Sequence, residues 1–186
     1  MQTFPPPVDP ALAFPAALRA SAMRVAAGLA AGEPEPPRYH FAVSVEGETL
    51  AIPTRVYYAP EQVAHAIDAP GIDGLIALCL GTRHHDGFLR ERCLRRLLGE
   101  RRDWIVPFVV QLAGEYVAEI VQVIEDALPT LDADVYGRFL RENPRFLATT
   151  ERRVVSYGYA WPDRRENAGR RVIAAFKRMR DASVSA

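Results

Sequence analysis

Within Thr82–Leu98 the chain sets two adjacent histidines, His84 and His85, beside Asp86 and follows them with Arg90, Arg92, Arg95 and Arg96. Histidine is the side chain whose charge changes near neutral pH, and a neighbouring acid can orient its ring. A proton-transfer or metal site on His84, His85 and Asp86 is therefore the first chemistry to weigh. Adjacent histidines seldom reach one metal, and no nearby Cys, His or carboxylate falls at a recognised ligand spacing. The remaining histidines, His40 and His65, are remote in sequence. Glu115 and Glu119 could complete a metal set with His84 and His85. A di-iron helix pair, however, would want Glu-x-x-His, and Gln122 stands where that histidine should follow Glu119. A simpler account is that Asp86 caps a helix: an acid at a helix N-terminus accepts its unpaired amides and meets its dipole favourably.

The helix that follows sharpens this reading. At about 100° per residue, Leu89, Cys93, Leu94, Leu97 and Leu98 share one side, and Glu91, Arg92, Arg95 and Arg96 the other. Arg90 breaks the division by projecting into the apolar arc. A buried guanidinium needs a partner, and Asp86, four residues earlier on the same side, is expected to form a structural ion pair with it. An acid at a helix start, an arginine one turn on and a small apolar residue beyond resembles the pattern of HEAT-type helical repeats. The likeness covers about one repeat, residues 71–98, with "GLIALCLG" as the preceding helix and "DGFLRERCL" as the second. The resemblance implies that the Asp and the Arg link neighbouring repeats through hydrogen bonds. The hairpin and the proline-rich start described below do not belong to that pattern.

Other chemistries lack their residues. There is no G-x-S-x-G elbow, no phosphate-binding glycine loop, no G-x-G-x-x-G after a strand and no C-x-x-C. No cofactor is called for. Cys79 and Cys93 each fall in an apolar helical pattern, which suits reduced core thiols in the cytoplasm. No signal peptide is expected, and the apolar stretch Trp104–Leu128 is interrupted by Gln111, Glu115 and Glu119, so no membrane span is expected either.

Charge indicates where a partner would bind. The net charge is zero and 49% of residues are apolar, which argues against a disordered chain or a tail-like nucleic-acid binder. Of the 23 basic residues only Lys177 is a lysine, which fits a GC-rich coding bias and a bacterial source. Glu115–Asp134 holds six acids and no base, whereas Arg138–Arg180 holds twelve bases against four acids. The two stretches are expected to face each other. Arg164, Arg165, Arg170 and Arg171 are the candidate partner-binding residues, for an acidic protein surface or the acidic stretch of a second copy in a homodimer. Arg152, Arg153, Tyr157, Tyr159 and Trp161 mix base and aromatic as a nucleic-acid surface does. The neutral total and the lack of a recognised binding module weigh against that.

These residues must be positioned by a mainly α-helical body. Residues 1–37 read as a proline-flanked segment with one helix carrying Leu18, Ala22, Val25 and Leu29 on a face. Residues 38–186 read as one helical domain, a bundle or HEAT-like array, with a β-hairpin at about 38–58 turning at Glu46-Gly47. Pro53 should leave its strand a free edge. "DWIVPFVVQLAGEYVAEIVQVIEDALP" reads as one central helix, apolar all round at first and then bearing a stripe of Glu115, Glu119, Gln122 and Asp126. In "PRFLATTERRVVSYGYAW" Phe146, Thr150, Val154, Tyr157 and Trp161 share a helical face, although 152–161 also alternates as a strand would. A last helix starts at "DRRE", with Asp163 and Glu166 as its capping box, and buries Val172, Ile173, Phe176 and Met179. The sum is a non-catalytic helical scaffold for protein–protein interaction. The alternatives are an enzyme or metal protein using His84, His85 and Asp86 with Glu115 and Glu119, and a nucleic-acid binder.

Overall fold

The computed structural model describes residues 6–30, 37–158 and 165–182. It is mainly α-helical with one antiparallel hairpin, and its contacts group into two compact units, Met1–Cys93 and Leu94–Ala186.

In the first unit a 3-10 turn, Pro10–Ala13, is capped by Asp9, whose carboxylate accepts from the Ala11 amide at 2.9 Å. A second turn, Ala16–Leu18, leads into helix α1, Arg19–Leu29. Strands β1, His40–Val45, and β2, Glu48–Pro53, pair in the register Val45↔Glu48 to His40↔Pro53. Glu46 and Gly47 join them with φ of 51° and 84°. Two consecutive positive φ values make the tight turn whose twist suits a hairpin, and glycine takes one of them without strain. Val43, Val45, Leu50 and Ile52 bury the inner face, and β2 lies on the Pro10–Ala13 turn. A lone hairpin is marginal in water, so this packing is what stabilises it. The return strand was expected to run on to Tyr58. It ends at Pro53, past which the Thr54 amide makes a last bond to the Tyr39 carbonyl at 2.9 Å, and beyond that Val56 instead bridges His84 in parallel. Helices α2, Pro60–Ala66, α3, Gly71–Gly81, and α4, Gly87–Leu97, follow, and α1 packs on both α2 and α3.

The second unit begins within α4. A 3-10 turn, Asp103–Ile105, precedes α5, Val106–Leu112; then come α6, Ala118–Ala127, α7, Ala133–Glu142, α8, Pro144–Gly158, and α9, Arg165–Ala182. Asp132 caps α7 by accepting from the amides of Asp134 and Val135. Helix α9 lies against α6, α7 and α8. Its Val172, Ile173 and Phe176 are buried, with Phe176 stacked on Tyr136 at 5.8 Å, while Met179 is only half-buried.

The single central helix is a misreading: α5 and α6 are separate. Pro107 sits in the first turn of α5, where its missing N–H costs nothing. Gly114 then brings the chain against α8, since a Cβ there would stand 3.2 Å from Arg153 Cβ and 3.3 Å from the Thr150 carbonyl. Glu115 therefore falls in the break and is buried, away from the exposed Glu119, Gln122 and Asp126 of α6. Residues 152–158 are helix, not strand. Trp161, Asp163 and Arg164 lie outside the described residues.

Candidate functional site

The chemistry-bearing cluster His84–Arg90 is assembled where α3 ends, α4 begins and the chain after β2 passes alongside. That chain and the segment 83–85 form a short parallel stitch: the Val56 amide donates to the Arg83 carbonyl at 2.9 Å, and the His85 amide to the Val56 carbonyl at 3.1 Å. His84 is fully buried between them. Its Nε2 lies 2.8 Å from the Tyr58 carbonyl, and its Nδ1 lies 3.0 Å from the Asp86 amide nitrogen. A carbonyl can only accept and an amide N–H can only donate, so the ring is neutral with its proton on Nε2. Burial, the largest cause, holds its pKa below the ordinary histidine value, against the opposing pull of the Tyr58 carbonyl.

Asp86 does what a helix-capping acid does. Its carboxylate accepts from the Leu89 amide at 3.1 Å, and that bond, the Phe88 amide and the nearby histidines keep its pKa below the usual aspartate value. Arg90 is buried in the apolar arc, as its wheel position requires. Its Nη1 donates to the backbone carbonyls of His84 at 2.8 Å and His85 at 2.9 Å. Arg55 Nη1 reaches the same His84 carbonyl at 3.1 Å. Two of the partners of Arg90 are thus backbone carbonyls, which hold its Nη1, while Asp86 caps the helix on which Arg90 stands.

His85 points outward, its ring stacked on Tyr57 at 5.5 Å. Among the described residues no three His, Cys, Asp or Glu side chains gather as a metal ion would require. Cys79 and Cys93 are buried thiols that form no disulfide, with Cys93 against Gly81. No helix among the described residues is long and apolar enough to cross a membrane. Sequence reasoning missed Arg55, Val56 and Tyr58, the other half of the stitch. Residue type gave no signal for it, because the stitch is made by backbone groups, which every residue carries.

The acidic and basic stretches do meet inside the second unit. Arg171 pairs with Glu125, its Nη2 at 2.9 Å from Oε2. Lys177 and Arg138 of the basic stretch pair instead with acids outside the acidic one, Glu151 at 2.7 Å and Asp103 at 2.8 Å. Of the four arginines expected to bind a partner, Arg171 is therefore engaged within its own chain and Arg170 lies beside Glu151 and Lys177 around a small hollow. Arg164 and the side chain of Arg165 are outside the described residues.

The first unit holds a larger concavity, of about 550 Å³, between α1, α2 and the start of α3. Val25, Leu29, Ala66 and Ala69 give it an apolar floor. At one end Arg24 donates to both oxygens of Asp73 at 3.2 Å, and Glu61 and His65 stand on the α2 side. With its amide nitrogen turned toward α1, Gln62 donates to the carbonyls of Gly28 at 3.1 Å and Leu29 at 2.8 Å.

Comparison with protein-family models, with curated proteins and with solved structures finds no match for this chain.

Proposed function

We propose that the chain is a non-catalytic helical scaffold that works by binding another protein. One observation carries this reading: both ring nitrogens of His84 are occupied by backbone groups, so the only fully buried imidazole among the described residues has none left for proton transfer or a metal. Asp86 and Arg90 beside it hold backbone too. The residues that looked chemical build the corner on which the hairpin and the α3–α4 pair meet. The HEAT-like resemblance of residues 71–98 supports the same reading, since stacked helices offer faces rather than deep dry pockets.

The test is in-cell crosslinking of the full chain followed by capture and mass spectrometry, with wild type, His85→Ala and Asp86→Asn compared. A protein captured in near-equal amount by wild type and His85→Ala is the expected result. Stoichiometric zinc, iron or manganese in the purified chain, displaced by His85→Ala, would overturn the proposal in favour of a metal protein.

A further inference from the structure

His84 spans a seam. On one side of it, residues 55–58 connect β2 to α2 and belong to no helix or strand beyond the bridge at Val56. On the other side lies the corner where α3 gives way to α4. The backbone bonds Val56 to Arg83 and His85 to Val56 fasten the two sides, with Arg55 on the His84 carbonyl. The His84 ring completes the fastening: Nε2 donates to the Tyr58 carbonyl across the seam, and Nδ1 accepts from the Asp86 amide behind it. Such a stitch has none of the repeated bonds of the β1–β2 ladder or of a helix, and segments of that kind open at lower free energy than the elements around them.

Only the neutral ring can make both contacts. A proton added to Nδ1 turns the acceptor of the Asp86 amide into a donor, so that two N–H groups face each other across 3.0 Å. The surrounding charges do not favour a cation there. Arg90 and Arg55 both bring a guanidinium to the carbonyl of His84 itself, and the His85 ring lies 4.2 Å away with Tyr57 stacked beyond it. Asp86, the neighbouring acid, presents its amide to the ring and holds its carboxylate on the Leu89 amide. Burial first, then His85 and Arg90, keep the folded ring neutral at a pH where a free imidazole protonates, against the pull of the Tyr58 carbonyl and Asp86.

We propose that His84 is a proton-operated latch: a proton taken from solvent onto Nδ1 opens the stitch, so that mild acid releases residues 55–58 from the α3–α4 corner while the helices stay formed. Release uncovers Val56 and Tyr58, which are buried in the closed corner.

Amide hydrogen exchange of the full chain, read by NMR from pH 7 to pH 5 and corrected for the intrinsic pH dependence of exchange, supplies the test. Protection of the Val56, His85 and Asp86 amides should fall by up to about tenfold per pH unit, the signature of one proton taken up on opening. It should also stay at least about tenfold below that of Leu78 and Leu80 inside α3, which marks the opening as local. His84→Gln should remove the fall, and His85→Gln should keep it. Stitch amides that exchange no faster than those of α3 would overturn the latch and leave only a pH-dependent stability of the whole fold. Protection that does not change with pH, or a fall abolished by His85→Gln, would overturn it as well. Nitrogen-15 spectra of the imidazoles in wild type give a check that needs no variant to fold. At pH 7 the His84 ring is expected to be neutral with its proton on Nε2, and a cation or an Nδ1–H tautomer there would refute the latch.

Discussion

At the scale of single residues, His84 makes the fold sensitive to pH in a direction that can be worked out. Its folded pKa is depressed, chiefly by burial, from an ordinary value of 6.5. As the pH falls through that value the unfolded chain takes up a proton that the folded chain refuses, so stability falls, with a slope of at most about 1.4 kcal/mol per pH unit. The loss ends once the buried ring itself protonates. Asp86, also depressed, contributes stability that is present above the usual aspartate range and lost below it, in a separate window under about pH 4. Thermal melts should therefore show wild type weakening between pH 7 and pH 5 and again below pH 4. His84→Gln, which keeps a donor for Tyr58 but cannot titrate, should lose the first step and keep the second. An unchanged slope in His84→Gln would mean that the ring is not buried and neutral as described. Arg90 belongs to the same corner: Arg90→Ala removes the charged donor from the His85 carbonyl, leaves the His84 carbonyl to Arg55 alone and empties a buried site, and should cost about 3–5 kcal/mol, whereas the exposed Arg95→Ala should cost under about 0.5 kcal/mol. Denaturant titration of the two variants checks it. The burial of Arg90 and the capping by Asp86 were legible in the sequence because both follow from helical spacing. Its carbonyl partners were not, because backbone acceptors leave no mark on residue type.

At the scale of elements, periodicity showed what it physically controls. The hairpin turn at Glu46-Gly47, the α3–α4 pair and the buried face of α9 appear in the sequence because alternation, turn chemistry and a 3.6-residue stripe act locally. The division of α5 from α6 did not, because an apolar run gives the same signal whether a helix continues or stops, and the stop is set by the approach of α8 to Gly114. Glu115 was accordingly assigned to a surface stripe that it does not join. Glycine contacts make a paired prediction here. A Cβ on Gly74 would overlap the Ala69 carbonyl oxygen, and backbone cannot swing aside as a side chain can. Gly74→Ala should thus destabilise by about 1–3 kcal/mol. Gly28→Ala, on a helix with room for the methyl, should stabilise by up to about 1 kcal/mol. Opposite shifts in melting temperature are expected, and a Gly28→Ala that melts below wild type would show that the space beside Gly28 is not open.

At the scale of the whole molecule, a chain of zero net charge carries its acids and bases in separate stretches, and the second unit brings some of them together: α6 presents Glu125 to Arg171 of α9. The bond holds the Glu125 carboxyl below, and the Arg171 guanidinium above, their usual pKa values. A homodimer built on the acidic stretch of one copy and the arginines of another would have to compete with this contact. Exposed ion pairs contribute little and are screened by salt, so Glu125→Arg and Arg171→Glu should each lower the melting temperature slightly, and less in 1 M salt. The double reversal, Glu125→Arg with Arg171→Glu, should recover part of the loss. Where the pair lies within one chain, the recovery is the same at every protein concentration, because no second copy takes part. Where it joins two copies, the recovery grows with concentration by mass action. Melts of the four proteins over a hundredfold range of concentration are expected to superimpose, and a concentration-dependent rescue would instead assign Arg171 to a dimer contact.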